Sequence, residues 1–82
     1  MRVKVRLFAQ LRDLAGHGDL DCTVGGDQAA VADVWRVLVR DHPALASFTR
    51  AMSTAVNLEY ARLDTPVRDG DEVAFLPPVS GG

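Results

Sequence analysis

The residues of this chain with the most to offer chemistry stand together in one string, Phe75-Leu76-Pro77-Pro78-Val79-Ser80-Gly81-Gly82. Two successive prolines have no N–H to donate, so they stop sheet pairing and stiffen the path of the chain. The four residues after them, Val79, Ser80, Gly81 and Gly82, are predicted to form an extended, flexible tail. Its last two residues carry no side chain and can thread a narrow channel in a partner. The reactive group of such a tail is a carboxylate on Gly82. A carboxylate is a poor electrophile, so an enzyme must first convert it with ATP to an acyl-adenylate. Glycine offers the least steric hindrance to the nucleophile that then attacks the acyl carbon.

The other chemically capable side chains are read as structural or solvated. Cys22 is the single cysteine, which excludes a disulfide or a four-thiolate metal or iron–sulfur site built within the chain. It lies in a strand-like stretch, where a free thiol acts as a small hydrophobe. His17, between Gly16 and Gly18, reads as part of a surface turn, and His42 as a helix end where positive charge is favoured. Neither has a second ligand at metal spacing, and no metal is expected. Asp69, Asp71 and Glu72 surround Gly70 as turn chemistry, without the remaining ligand positions of a calcium loop. Arg2, Lys4 and Arg6 form a basic row on a solvated face balanced by nearby acids, and Arg12 is a candidate partner contact near the tail. Nucleotide-phosphate loops, nucleophile elbows and zinc motifs are absent from the sequence.

Composition narrows the class. The 82 residues carry 48% apolar and 24% charged side chains with a formal charge of −2, the profile of an ordinary globular domain. No strong positive field exists to recruit nucleic acid or an anionic membrane. Apolar runs fall far short of the roughly 20 residues that span a bilayer, and the opening Met1-Arg2-Val3-Lys4-Val5-Arg6 alternates instead of forming a signal-peptide core. A cytoplasmic protein with neither nucleic-acid nor membrane partners is expected.

Periodicity supplies the elements that must position the tail. Val3, Val5 and Leu7 alternate with Arg2, Lys4 and Arg6 as a first strand. Phe8 breaks the pattern, because it shares parity with the charged residues and belongs on the face turned away from the core. A short helical turn over 10–15 ends at Gly16, and Leu20, Cys22 and Val24 alternate as a second strand closed by Gly25-Gly26. Val31, Val34, Trp35, Leu38 and Val39 recur at helical spacing with Trp35 in the core. Asp27 or a neighbour is expected to cap that helix, no capping box is visible, and His42-Pro43 ends it. A third strand follows over 54–58, then a short extended piece between Tyr60 and Val67. The last strand, from Glu72, puts Val73 and Phe75 on one side and Ala74 and Leu76 on the other. The order predicts a single α+β domain over 1–82, one mixed sheet on one main helix. It suggests a β-grasp with the first and last strands as central neighbours, while the spacing alone equally allows a ferredoxin-like sandwich.

The strings VRLFAQLRDLAG at 5–16, DGDEVA at 69–74 and FLPPVSGG at 75–82 resemble the small-subunit family of molybdopterin synthase, the ubiquitin-like sulfur carriers. The resemblance implies a β-grasp whose Gly82 is adenylated by an E1-like adenylyltransferase that uses ATP. A sulfur donor enzyme then converts Gly82 to a thiocarboxylate. It further implies that the carrier binds no cofactor and that its tail enters the large synthase subunit in a two-plus-two heterotetramer. There the sulfur passes to cyclic pyranopterin monophosphate, with the catalytic side chains on the large subunit. Phe8, Tyr60 and Leu76 match the family's apolar partner-binding positions, joined by Pro77 and Pro78. Parity independently places Phe8 and Leu76 outward; Tyr60 follows a turn and parity cannot place it. Ala30 stands where relatives carry a capping threonine. Other readings of the same tail are a carrier for thiamine, cysteine or tRNA thiolation, a protein modifier that forms isopeptides, and a β-grasp binding module in which the tail is incidental.

Overall fold

The computed structural model describes residues 1–78; the expected tail, Val79, Ser80, Gly81 and Gly82, lies outside the described residues. Along the chain run β1 (Arg2–Leu7), α1 (Ala9–Ala15), β2 (Asp19–Thr23), β3 (Ala29–Ala30), α2 (Val31–Asp41), a 3₁₀ segment (Pro43–Phe48), β4 (Ser53–Val56), β5 (Glu59–Ala61), β6 (Pro66–Val67) and β7 (Glu72–Leu76). Five strands form one sheet in the order β2-β1-β7-β4-β5, and β3 pairs with β6 in a separate two-stranded ribbon. β1 and β7 are parallel central neighbours; the other pairs are antiparallel. This is the β-grasp order, and it removes the ferredoxin-like alternative left open by the spacing.

The alternation of β1 becomes burial: Val3, Val5 and Leu7 are enclosed while Arg2, Lys4 and Arg6 face solvent. Val73 and Phe75 of β7 continue that inner face, and Val31, Val34, Trp35 and Leu38 of α2 pack on it. Phe75 is fully enclosed, with its ring centroid 5.0 Å from that of Trp35 at a tilted angle of 48°. Burying such a ring stabilises the fold by about 1.5–3 kcal/mol. The Trp35 indole N–H donates to Thr49 Oγ1 at 2.9 Å, so the enclosed polar atom is satisfied.

The start of α2 differs from the expected cap. Ala30 occupies the N-cap, and Asp33 Oδ2 accepts the Ala30 backbone N–H at 2.9 Å. That is half of a capping box, because the Ala30 methyl cannot accept the N–H that a serine or threonine would take. At the other end the chain leaves helical geometry at His42, with ψ 78° ahead of Pro43, as expected. The short first helix begins one residue before the predicted range, at Ala9, whose φ of 50° lies in the left-handed region.

The third strand is shorter than predicted, ending at Val56 because Asn57 and Leu58 adopt φ of 50° and 71° as a two-residue hairpin turn. The Asn57 side chain fastens that turn to the start of β7, accepting from Glu72 N at 3.0 Å and donating to Asp71 Oδ1 at 3.1 Å. The extended piece between Tyr60 and Val67 resolves into two strands, β5 and β6. The acidic turn works as read: Arg68 N donates to Asp71 Oδ2 at 2.8 Å and Arg2 N to Asp69 Oδ1 at 2.7 Å, with Gly70 at φ 87°.

Candidate functional site

Strand register defines what the outer face of the sheet presents beside the exit of the last strand. Arg6 of β1 pairs in register with Ala74 of β7, Ala74 with Ala55 of β4, and Ala55 with Tyr60 of β5. Side chains at paired positions share a face. One row across the sheet therefore reads Arg6, Ala74, Ala55, Tyr60. The adjacent row contains Leu76 opposite Ser53, and extending the Leu7–Phe75 pairing by one residue sets Phe8 level with Leu76. Phe8, Leu76 and Tyr60 thus share the outer face with two alanines, Ala74 and Ala55.

Exposure follows from this arrangement. Phe8 is 40% exposed and Tyr60 90%, while Leu76 and Pro77 are half-buried and Pro78 is exposed. Tyr60, which parity could not place, lies on the same face as the other two because the two-residue Asn57-Leu58 turn fixes its register against Ala55. Phe8 directly follows β1 and is the N-cap of α1 in extended geometry, with φ −120° and ψ 152°. The left-handed Ala9 then turns the chain into the helix. A left-handed alanine costs about 1–2 kcal/mol, so the bend that presents Phe8 is held against local preference.

The other half of this face is polar. Arg6 sits at the boundary, 3.2 Å from Asp19 and 3.4 Å from Glu72, with its guanidinium carbon 5.7 Å from the Phe8 ring centroid. Arg2 pairs with Asp21 at 3.6 Å. Two of the three cations of the basic row, Arg2 and Arg6, are thus paired with neighbouring acids. Arg12 lies at the same end of the sheet as Leu76: a Cβ on Gly18 would meet its Cδ at 3.0 Å, and Gly18 accepts the backbone N–H of Leu7. Ala55 and Ala74 went unremarked as site residues in the sequence. The parity of the last strand already pointed Ala74 outward, but only cross-strand register could add Ala55.

The remaining titratable groups do not converge on this face. Cys22 is enclosed, and burial, reinforced by the nearby Asp41 charge and opposed by Arg40, pushes its thiol pKa up. It is a poor nucleophile in the folded protein. Among the described residues no group of three or more His, Cys, Asp or Glu side chains is placed to hold a metal ion. No helix among them is long and apolar enough to cross a membrane.

A five-stranded mixed sheet wrapped on one helix, with an apolar outer strip beside the exit of its last strand, defines a ubiquitin-like β-grasp protein. The chain belongs to the ThiS family, whose family model matches residues 5–82. It is 40% identical to the molybdopterin synthase sulfur carrier subunit of Escherichia coli, over 98% of this chain and 99% of the relative. The crystal structure of SAMP1, small archaeal modifier protein 1, from Haloferax volcanii superimposes with a TM-score of 0.88 at 36% identity, covering 100% of both chains. A chain in the complex of subunits 1 and 2 of the molybdopterin-converting factor from Helicobacter pylori matches with a TM-score of 0.66 at 26% identity, again over 100% of both chains.

Proposed function

We propose that this chain is the sulfur-carrying small subunit of a cytoplasmic molybdopterin synthase, and that Gly82 is its reacting residue. The carboxylate of Gly82 attacks the α-phosphorus of ATP on an E1-like adenylyltransferase, releasing pyrophosphate and forming an acyl-adenylate. A persulfide sulfur of a donor enzyme then displaces AMP to give an acyl disulfide, and a thiol cleaves its S–S bond, releasing the thiocarboxylate and leaving the donor cysteine in a disulfide with that thiol. The charged tail, Val79 to Gly82, enters the large subunit, where the sulfur passes to cyclic pyranopterin monophosphate. Two charged carriers supply the two sulfurs of the dithiolene, consistent with a heterotetramer. This chain contributes the reacting group and the docking surface, and the large subunit contributes the catalytic side chains.

The observation that carries this reading is the apolar strip of Phe8, Leu76 and Tyr60 lying beside the point where β7 gives way to Pro77 and Pro78. A contiguous apolar patch on a small protein marks a partner site, and here it flanks the stem of the diglycine segment. Likeness to a sulfur carrier subunit, and to a chain in a two-subunit converting factor, supports the large subunit as partner. The test is an intact-mass measurement after incubation with ATP, the activating enzyme and a sulfur source, followed by addition of large subunit and pterin substrate. Replacement of one oxygen by sulfur at Gly82, and its loss on transfer, is the expected result. Deleting Gly82 must abolish both.

The likeness to a small archaeal modifier protein favours a second reading, in which the activated Gly82 is passed to lysine amines of other proteins. Covalent adducts that disappear on deletion of Gly82, with no sulfur transfer to the pterin, would establish it in place of the first.

A further inference from the structure

A second feature adjoins the apolar strip. Arg50, Met52, Ser53, Tyr60, Arg62 and Leu63 are among the residues that line an open groove of about 500 Å³ at the β5 edge of the sheet. It contains two arginines and no acid, although acids outnumber bases 11 to 9 in the chain. The groove between β1 and β2, by contrast, holds Asp19, Asp21 and Glu72 beside its cations. Arg2, Arg6, Arg36 and Arg40 all take part in ion pairs, and among the described residues neither Arg50 nor Arg62 does.

The lining is firmly held. Thr49 Oγ1 accepts from Trp35 and donates to the Ala46 carbonyl, and Thr54 Oγ1 donates to the Ala61 carbonyl at 2.7 Å. Arg62 N donates to Thr65 Oγ1 at 2.9 Å while Thr65 N donates to the Arg62 carbonyl, fixing the turn from which the Arg62 side chain springs. Ser53, on the wall, is the register partner of Leu76, so the groove starts one strand away from the exit of the last strand. Tyr60 belongs to both the groove and the apolar strip.

The geometry points to this groove as the docking site for an acidic segment of the activating enzyme, two or more carboxylates beside an apolar side chain that reaches Leu63 and Met52. The inference rests on the carrier reading above. Charge complementarity sets the sign of the partner, and continuity with the apolar strip through Tyr60 sets its position. The choice of enzyme follows from kinetics. The activating enzyme must capture the uncharged carrier and release the charged one, a transient encounter of the kind that exposed charges accelerate by raising the association rate.

The experiment is stopped-flow association of full-length carrier with the activating enzyme from the same organism, across a range of salt, using wild type, the double variant Arg50→Glu/Arg62→Glu, and Arg50→Lys/Arg62→Lys. Charge reversal is expected to slow association about tenfold or more at low salt, flatten its salt dependence, and leave the dissociation rate within about twofold. The lysine pair should stay within about threefold of wild type. Both sites are exposed, so thermal melts should coincide. An unchanged association rate in the reversed variant overturns the inference, as does a loss confined to large-subunit binding. Failure of the wild type to be charged at all would instead defeat the carrier reading, and the mass measurement detects that separately.

Discussion

The guanidinium of Arg6 lies over the ring of Phe8, with its central carbon 5.7 Å from the ring centroid, and it also pairs with Asp19 at 3.2 Å and Glu72 at 3.4 Å. One arginine thus joins the polar half of the outer face to the first residue of the apolar strip. Exposed pairs of this kind contribute about 0.5–1 kcal/mol, and surface ion pairs about as little, so Arg6 matters more for orienting Phe8 than for stability.

Arg6→Ala is accordingly expected to leave thermal stability within about 1 kcal/mol of wild type and to weaken binding to the large subunit severalfold. Phe8→Ala and Tyr60→Ala should weaken it by tenfold or more if each is an anchor of the interface. In a double-mutant cycle, Arg6→Ala should add little once Phe8 is gone. Additive losses measured by calorimetry would show that the arginine contacts the partner itself and does not act through the ring.

Phe75 supports the opposite face. Phe75→Ala removes a fully enclosed ring packed on Trp35 and should cost about 3–5 kcal/mol. In a domain of this size that is much of the total stability. Denaturant unfolding should show a large fall in midpoint, and a loss under 1 kcal/mol would mean that the core rearranges around the gap.

Completing the half-built cap of α2 should act in the other direction. Ala30→Ser supplies an oxygen able to accept the Asp33 backbone N–H while Asp33 continues to accept from residue 30, a gain of about 0.5–2 kcal/mol. For a domain of 60–100 residues each 1 kcal/mol raises Tm by about 4–8 °C. Asp33→Ala should lower Tm, since it also removes the 3.0 Å contact with Arg36. A serine variant that melts no higher than wild type would show that the alanine cap already satisfies the first turn.

Cys22 gives the fold an alkaline limit. Because burial raises its pKa in the folded state, the unfolded chain loses the thiol proton first. Its contribution to stability is complete below the ordinary thiol value of 9.0 and is lost as pH rises beyond it towards the folded value. Chemical denaturation between pH 8 and about 11 should show a decline that Cys22→Ala reduces, and native protein should resist alkylation until it unfolds. Rapid labelling of native protein at neutral pH would contradict this.

Much of the fold could be read from hydrophobic period. A period of two in β1 and β7 and of 3.6 in α2 required one face of each element to be buried, and the residues of those patterns are enclosed except Val39, at the flank of the helix face, which is only partly buried. Phe8 and Leu76 were legible as outward residues for the same reason, since parity is a local property of an extended chain. Local signals fail where long-range contacts oppose them. Leu58 has strand-like character, but it lies in a left-handed turn next to Asn57, whose side chain donates to Asp71 Oδ1 and accepts from Glu72 N, 14 and 15 residues away. The start of α2 is not legible locally, because an alanine cap carries no signal and the carboxylate that serves it comes from inside the helix.

The sequence by itself determined the alternation of buried and solvent faces, the point where the two prolines end the sheet, and the diglycine segment to which the proposed chemistry belongs, because each follows from residue type and near neighbours. Only the tertiary structure decided which strands lie side by side, and therefore that Tyr60, Ala55, Ala74, Leu76 and Phe8 share one surface and that Arg50 and Arg62 share a groove. Neighbours in a sheet are selected by packing between segments far apart in the chain, and no local pattern encodes that choice.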